Sequence, residues 1–175
     1  MNDGWDGILD ADERILWQGR PDGDLVLDPA NLVSLIFGLF FAGFALFWMV
    51  MAAQGGGAFW MFGLLHFCVG LLIALGPIFG GAFIRRRTWY TLTDRRAFVA
   101  TKLPVKGKTL DSYPIDSDTR ISFDDTTLST IHFAHGRRYV GAHRRIGPIG
   151  FERIADGREV YRMIRDIQKN TRDHA

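Results

Sequence analysis

From Pro29 to Ile84 the chain runs through 56 consecutive residues without one Asp, Glu, Lys or Arg. Few folds accept so long a stretch with no ionic group. In a soluble protein it would have to be buried on all sides, and 175 residues are too few to wrap two such helices. In a bilayer it is ordinary. The first run, Asn31 to Ala52, has 22 residues; as a helix it extends roughly 33 Å, against about 30 Å of hydrocarbon. Ala53 to Gly57 reads as a turn. The second run, Ala58 to Ile84, has 27 residues and would extend about 40 Å, so tilt, a kink or a last turn among headgroups is implied. Pro77, lying among Gly76, Gly80 and Gly81, favours a bend. The middle of the chain, 29–84, is therefore expected to be a transmembrane hairpin with helices near 31–52 and 58–84.

Charge divides the rest. Residues 1–28 hold eight acids against Arg14 and Arg20, a net of −6. Residues 85–175 hold 19 bases and 11 acids, a net of +8. The overall +2 describes neither part. Cys68 is the only cysteine, which excludes an intramolecular disulfide framework. The acidic start does not resemble a signal peptide, so the apolar segments are expected to remain in the mature chain.

Arg85, Arg86 and Arg87 follow the second run directly, and the connecting loop has no base. The positive-inside rule then places both termini in the cytoplasm and the glycine turn outside. Trp48, Trp60 and Trp89 fall where interfacial aromatics are expected. Within the hairpin, Gly38 with Ala42 and Gly76 with Gly80 have the small-xxx-small spacing that lets helix backbones approach. We read these first as packing between the two helices, with self-association or a partner helix as the alternative. His66 and Cys68 are the polar positions inside the runs. With no carboxylate or second histidine in either run, His66 is read as neutral and hydrogen-bonded rather than as a haem or metal ligand.

Past the arginines the texture becomes short β-rich pieces between turn signals. Arg87–Leu92, Ala97–Thr101, Thr109–Ile115, Arg120–Phe123, Leu128–Ala134, Tyr139–Ala142 and Ile149–Ile154 read as strands. Thr93-Asp94-Arg95-Arg96 and Asp124-Asp125 read as turns, 103–107 as a loop, and Gly136 as a break. Seven strands at hairpin spacing suit a small antiparallel barrel or sandwich. Val160, Met163, Ile164 and Ile167 then stand at helical spacing, and Asp156 with Glu159 marks a helix start near Gly157. That helix cannot be stable alone and should cover the sheet.

The leader Glu13-Arg14-Ile15-Leu16-Trp17-Gln18-Gly19-Arg20-Pro21, the hairpin, the stretch Tyr90-Thr91-Leu92-Thr93-Asp94-Arg95-Arg96-Ala97-Phe98-Val99 and a single C-terminal helix follow one another in order. This arrangement resembles the membrane-anchored bacterial PH-like domain proteins, and the leader looks like that of photosynthetic complex assembly proteins carrying such a domain. The resemblance spans nearly the whole chain and implies an α+β membrane protein. Its 85–175 part would be a PH-like, seven-stranded bent sheet capped by the last helix, at the cytoplasmic face of the bacterial inner membrane. The family pattern offers no catalytic residues to carry over. Two spans rather than three is a departure from the assembly proteins.

Residue patterns that carry chemistry are few. The chain has no phosphate-binding loop, no dinucleotide fingerprint, no H-E-x-x-H and no G-x-S-x-G. His132 and His135 are an odd interval apart in a strand and so point to opposite faces, which argues against a metal site even with His143 nearby. No cofactor is expected, and nucleic acid is disfavoured because no groove-reading motif accompanies the bases. The remaining signal is cationic: Arg85, Arg86, Arg87, Arg95, Arg96, Lys102, Lys106 and Lys108, taken as contacts to anionic lipid headgroups. The first functional reading is thus a non-enzymatic membrane-anchored module for a protein segment or headgroups. The alternative is an accessory or assembly subunit held in a larger complex through its transmembrane helices. An enzyme built on the histidines is the third.

Overall fold

The computed structural model describes residues 4–27, 29–104, 107–140 and 143–173. They form two compact units. Of these, one takes in the described residues between 24 and 83 together with 139, 140 and 143, and the other takes in 4–23 and the described residues of 84–138 and 144–173.

In the first unit, helix α1 (Pro29–Gln54) and helix α2 (Phe62–Arg85) flank a glycine turn and one 3-10 turn, Phe59–Met61. Both helices are long and apolar enough to cross a membrane, and only 17% and 22% of their most apolar windows are buried. That fraction separates them from the core helices of a soluble protein, which would be mostly covered. Val33, Phe40 and Leu72 are more than two-thirds exposed. So much outward apolar surface requires lipid or a partner as its solvent. The chain reverses at Gly56 and Gly57, whose φ of +78° and +79° suit residues without a side chain. The second run's extra length is taken up by the 3-10 turn, and α2 continues unbroken through Pro77.

The other unit is built on two sheets. Strands β1 (Ile15–Gly19), β2 (Thr88–Thr93), β3 (Arg96–Leu103) and β4 (Gly107–Pro114) form a four-stranded sheet in that order. Each neighbouring pair runs antiparallel. Strands β5 (Ser122–Asp124), β6 (Ser129–Val140) and β7 (His143–Ile154) form the second sheet. Helix α3 (Gly157–Asp173) completes the unit. One apolar core draws on both sheets and the helix: Leu92, Ile131, Phe151, Ile154, Val160 and Ile164 are all under 2% exposed. The stripe expected on α3 is the face that packs, since Val160, Ile164 and Ile167 are buried and Met163 partly so. Gln168 adds a polar clip. Its amide donates to the carbonyls of Asp116 (3.0 Å) and Thr119 (2.8 Å) and tethers the β4–β5 connection to the helix.

The strand set differs from the sequence expectation in three ways. Seven strands are present among the described residues, but the first comes from the leader, so six follow the hairpin. They lie in two sheets, so of the barrel or sandwich expected it is the closed barrel that the described strands do not form. And Gly136 does not end a strand: β6 runs through it, and Ile149 Cδ1 lies 2.9 Å from where a Cβ on Gly136 would stand.

Candidate basic interface

Strand register decides which expected cations lie near one another. The end of α2 passes into β2 through a short splice. Arg87 N–H and Thr88 Oγ1 both donate to the Ile84 carbonyl, each at 2.9 Å. β3 then returns beside β2, and Thr88 pairs with Thr101. The Lys102 N–H closes the ladder by donating to the Arg87 carbonyl at 2.9 Å. The end of the sheet at which β2 begins therefore carries Lys102 and Lys108 beside Arg87, with Arg85 and Arg86 just ahead of it in the chain.

Two of these arginines bind the returning leader. Arg85 Nε donates to the Asp22 carbonyl and Arg86 Nε to the Gly23 carbonyl, both at 3.0 Å. Asp22 is also fixed from β7: its N–H donates to the Arg153 carbonyl (2.9 Å), and its carboxylate accepts from Arg153 Nη2 (2.6 Å). Arg153 holds φ = +52°, a conformation costly for a residue with a Cβ. Its guanidinium and its carbonyl both engage Asp22, and these two contacts depend on that backbone. Nearby, the Arg20 guanidinium stacks 4.9 Å above the Trp89 ring.

The lysines are different. Lys102 and Lys108 are directly opposite in the β3–β4 register, and both are exposed. Neither forms an ion pair among the described residues. Like charges set face to face across a ladder repel, so this end of the hairpin is electrostatically unsatisfied. Leu103 pairs with Gly107, whose φ of +77° makes the turn residue's lack of a side chain necessary. Lys106 lies outside the described residues.

Arg95 and Arg96 do not belong to this surface. They follow the far end of β2, about 17 Å along the strand direction from its start, and acids of the leader hold them. Arg96 forks onto Glu13: Nη2 lies 2.6 Å from Oε2, and Nε lies 2.9 Å from Oε1. Thr93 Oγ1 donates to Glu13 Oε1 at 2.6 Å, and the Asp10 N–H donates to Oε2 at 3.1 Å. The Glu13 side chain has no exposed surface. Its hydrogen bonds to Arg96, above all, hold the carboxyl down at a pKa of about 2 despite burial. Among the described residues the Arg95 guanidinium pairs with Asp10, 3.5 Å away and largely exposed. These two arginines are thus drawn into the leader contact, which sequence reasoning missed. The one available signal was a glutamate placed two residues before an alternating apolar segment.

The helix-packing residues also separate. Gly38 and Ala42 are buried in the seam between α1 and α2. A Cβ on Gly38 would collide with the Ala74 backbone, and one on Gly70 would come within 2.7 Å of Ala42 N. The facing pair on α2 is therefore Gly70 with Ala74. Gly76 is exposed with open space beside it, and Gly80 is half-buried. His66 lies between aromatic rings, 5.1 Å from Phe62 and 6.2 Å from Phe41, and its Nδ1 donates to the Phe62 carbonyl at 3.3 Å. Cys68 is exposed on α2. His132 and His135 are carried on β6, and no group of three potential metal ligands occurs among the described residues.

Comparison with protein-family models, with curated proteins and with solved structures returns no match.

Proposed function

We propose that the chain is a non-enzymatic module anchored in the bacterial inner membrane by its helical hairpin. Both termini are cytoplasmic, and the domain of β1–β7 and α3, read as PH-like, works against anionic lipid headgroups. The observation that carries this reading is the Lys102–Lys108 pair. Two exposed like charges face one another, one strand away from Arg87, where the chain has just left a helix long enough to span a bilayer. Each cation close to an anionic leaflet gains about 1 kcal/mol, and a surface charge relieves the repulsion within the pair. Arg85–Arg87 contribute to the same surface and to topology, whereas Arg95 and Arg96 do not take part.

Hydrogen exchange of the whole chain in nanodiscs tests this. With phosphatidylglycerol present, amides at 101–103 and 107–109 should exchange more slowly than in phosphatidylcholine alone, and high salt should remove the difference. Lys102→Glu with Lys108→Glu should abolish it, while Arg95→Glu leaves it intact. Equal exchange in both lipids contradicts the reading.

One observation favours a second reading, an accessory subunit bound through the membrane. Gly76 opens outward on α2 with no atom near its missing side chain, an unfilled site where another helix could approach. Co-purification of a larger complex in mild detergent, lost in Gly76→Leu, would support it.

A further inference from the structure

We infer that the helical hairpin holds a binding site for a lipid-soluble phenol or hydroquinone, its flat ring lodged among Phe41, Phe44, Trp48 and Phe62 and its hydroxyl donating to His66 Nε2. The site lies wholly within the unit of α1 and α2, and it goes beyond the headgroup reading, which concerns the other unit. These side chains, with Gly63, line a cavity of about 280 Å³. An apolar cavity of about 150 Å³ takes up benzene, so this one has room for a substituted ring. Gly63 contributes no side chain to it: a Cβ there would collide with Met49 Cγ and stand 3.2 Å from Trp48 Cε3. Phe44 and Phe62 are each 61% exposed, so the cavity opens on the outer surface of the hairpin, where an apolar tail can leave.

His66 decides the chemistry. Its Nδ1 donates to the Phe62 carbonyl at 3.3 Å. A neutral imidazole protonated on Nδ1 presents Nε2 as an acceptor, and Nε2 has no hydrogen-bond partner among the described residues. Water is a poor answer to it, because a buried water needs two to four polar partners and the walls here are aromatic. An acyl chain fills the volume but brings no donor. A ring bearing a hydroxyl does both. Aromatic rings pack with centroids about 4.5–7 Å apart, the spacing already present between Phe62 and His66 (5.1 Å) and between Trp48 and Phe62 (6.4 Å). One O–H then answers the one free acceptor, which is costly to leave unpaired in an apolar site.

The experiment titrates the whole chain in nanodiscs, isotope-labelled at its histidine nitrogens, with para-butylphenol and with para-butylanisole, which has the same ring and chain but no donor. The His66 Nε2 resonance, assigned by its absence in His66→Phe, should shift saturably with the phenol. Half-saturation should come at a concentration about five-fold or more below that for the anisole, as one added hydrogen bond warrants. Gly63→Leu, which fills the cavity, should abolish the saturable shift, while Gly76→Leu, with open space beside it, should keep it. Equal, non-saturating shifts with the two compounds mean that both only dissolve in the lipid around the helices, and they overturn the site. A saturable shift that the anisole matches also overturns it, since the acceptor then plays no part. This contrast is read on the parent chain, so it stands even where Gly63→Leu unfolds the hairpin. Hydrogen exchange at 101–103 and 107–109 reads the other unit, so the two proposals fail separately.

Discussion

Glu13 and Arg96, 83 residues apart, form a forked ion pair in which the carboxylate is wholly buried and Oε2 lies 2.6 Å from Nη2. This pair joins the leader to the β2–β3 turn. The Glu13 carboxyl is depressed in the folded state from 4.5 to about 2. Stability from such a group is fully present above its unfolded value and disappears as pH falls through the folded one. The shift corresponds to an upper figure of about 3 kcal/mol at neutral pH. Glu13→Gln, which strands the Arg96 guanidinium, should lower the unfolding temperature of the domain at pH 7 by about 10 °C or more. Melting curves in detergent should show the gap between variant and parent closing as pH falls from about 4.5 towards 2.

The leader is structural rather than ornamental. Trp17 packs on Phe151 with ring centroids 5.3 Å apart, and β1 covers the edge of β2. A fragment of residues 85–175 should therefore lack a cooperative unfolding transition and tend to associate through the uncovered β2 edge. A synthetic peptide of residues 8–24 added in trans should restore the transition, and the Glu13→Gln peptide should restore it poorly. Calorimetry of the three mixtures distinguishes them.

Close approach of α1 and α2 occurs at Gly38 and Ala42 against Gly70 and Ala74. Gly70→Leu should force the helices apart, with a cost of several kcal/mol from overpacking against backbone that cannot move aside. Gly76→Leu should leave the hairpin intact. Distance measurements between spin labels on α1 and α2 check the contrast.

In the second sheet, a Cβ at Gly150 would collide with the Ile131 carbonyl and come within 2.6 Å of His132 Cα. Both are backbone of the neighbouring strand. Gly150→Ala should therefore destabilise the domain by more than the roughly 1 kcal/mol typical of a single substitution, while Gly4→Ala, with nothing nearby, should be neutral. Chemical denaturation of both variants provides the comparison.

Local features were legible in the sequence and long-range ones were not. Absence of charge over a long interval is a property of each residue in it, so the two apolar helices could be read directly. The α3 stripe is likewise a matter of spacing. Which helix face meets which is a relation between two elements, so small-residue spacing identified Gly38 and Ala42 but could not choose Gly70 over Gly76. The strand Ile15–Gly19 alternates, yet its place in the sheet depends on β2, more than 70 residues later. The same non-local contact moved Arg95 and Arg96 from the expected lipid surface to the leader. Local runs of bases show where charge is; register shows which charges are already answered.

In the proposed topology the apolar helices cross a bilayer and return the chain to the side it came from. Single-cysteine chains on Cys68→Ala, carrying Gly56→Cys in the turn or Asp118→Cys in the exposed β4–β5 connection, settle it when sealed vesicles of known orientation are treated with an impermeant maleimide. Gly56→Cys should label only from the outer face and Asp118→Cys only from the inner face, each becoming accessible from the other side after permeabilisation. Labelling of both positions from the same face of intact vesicles would rule this topology out.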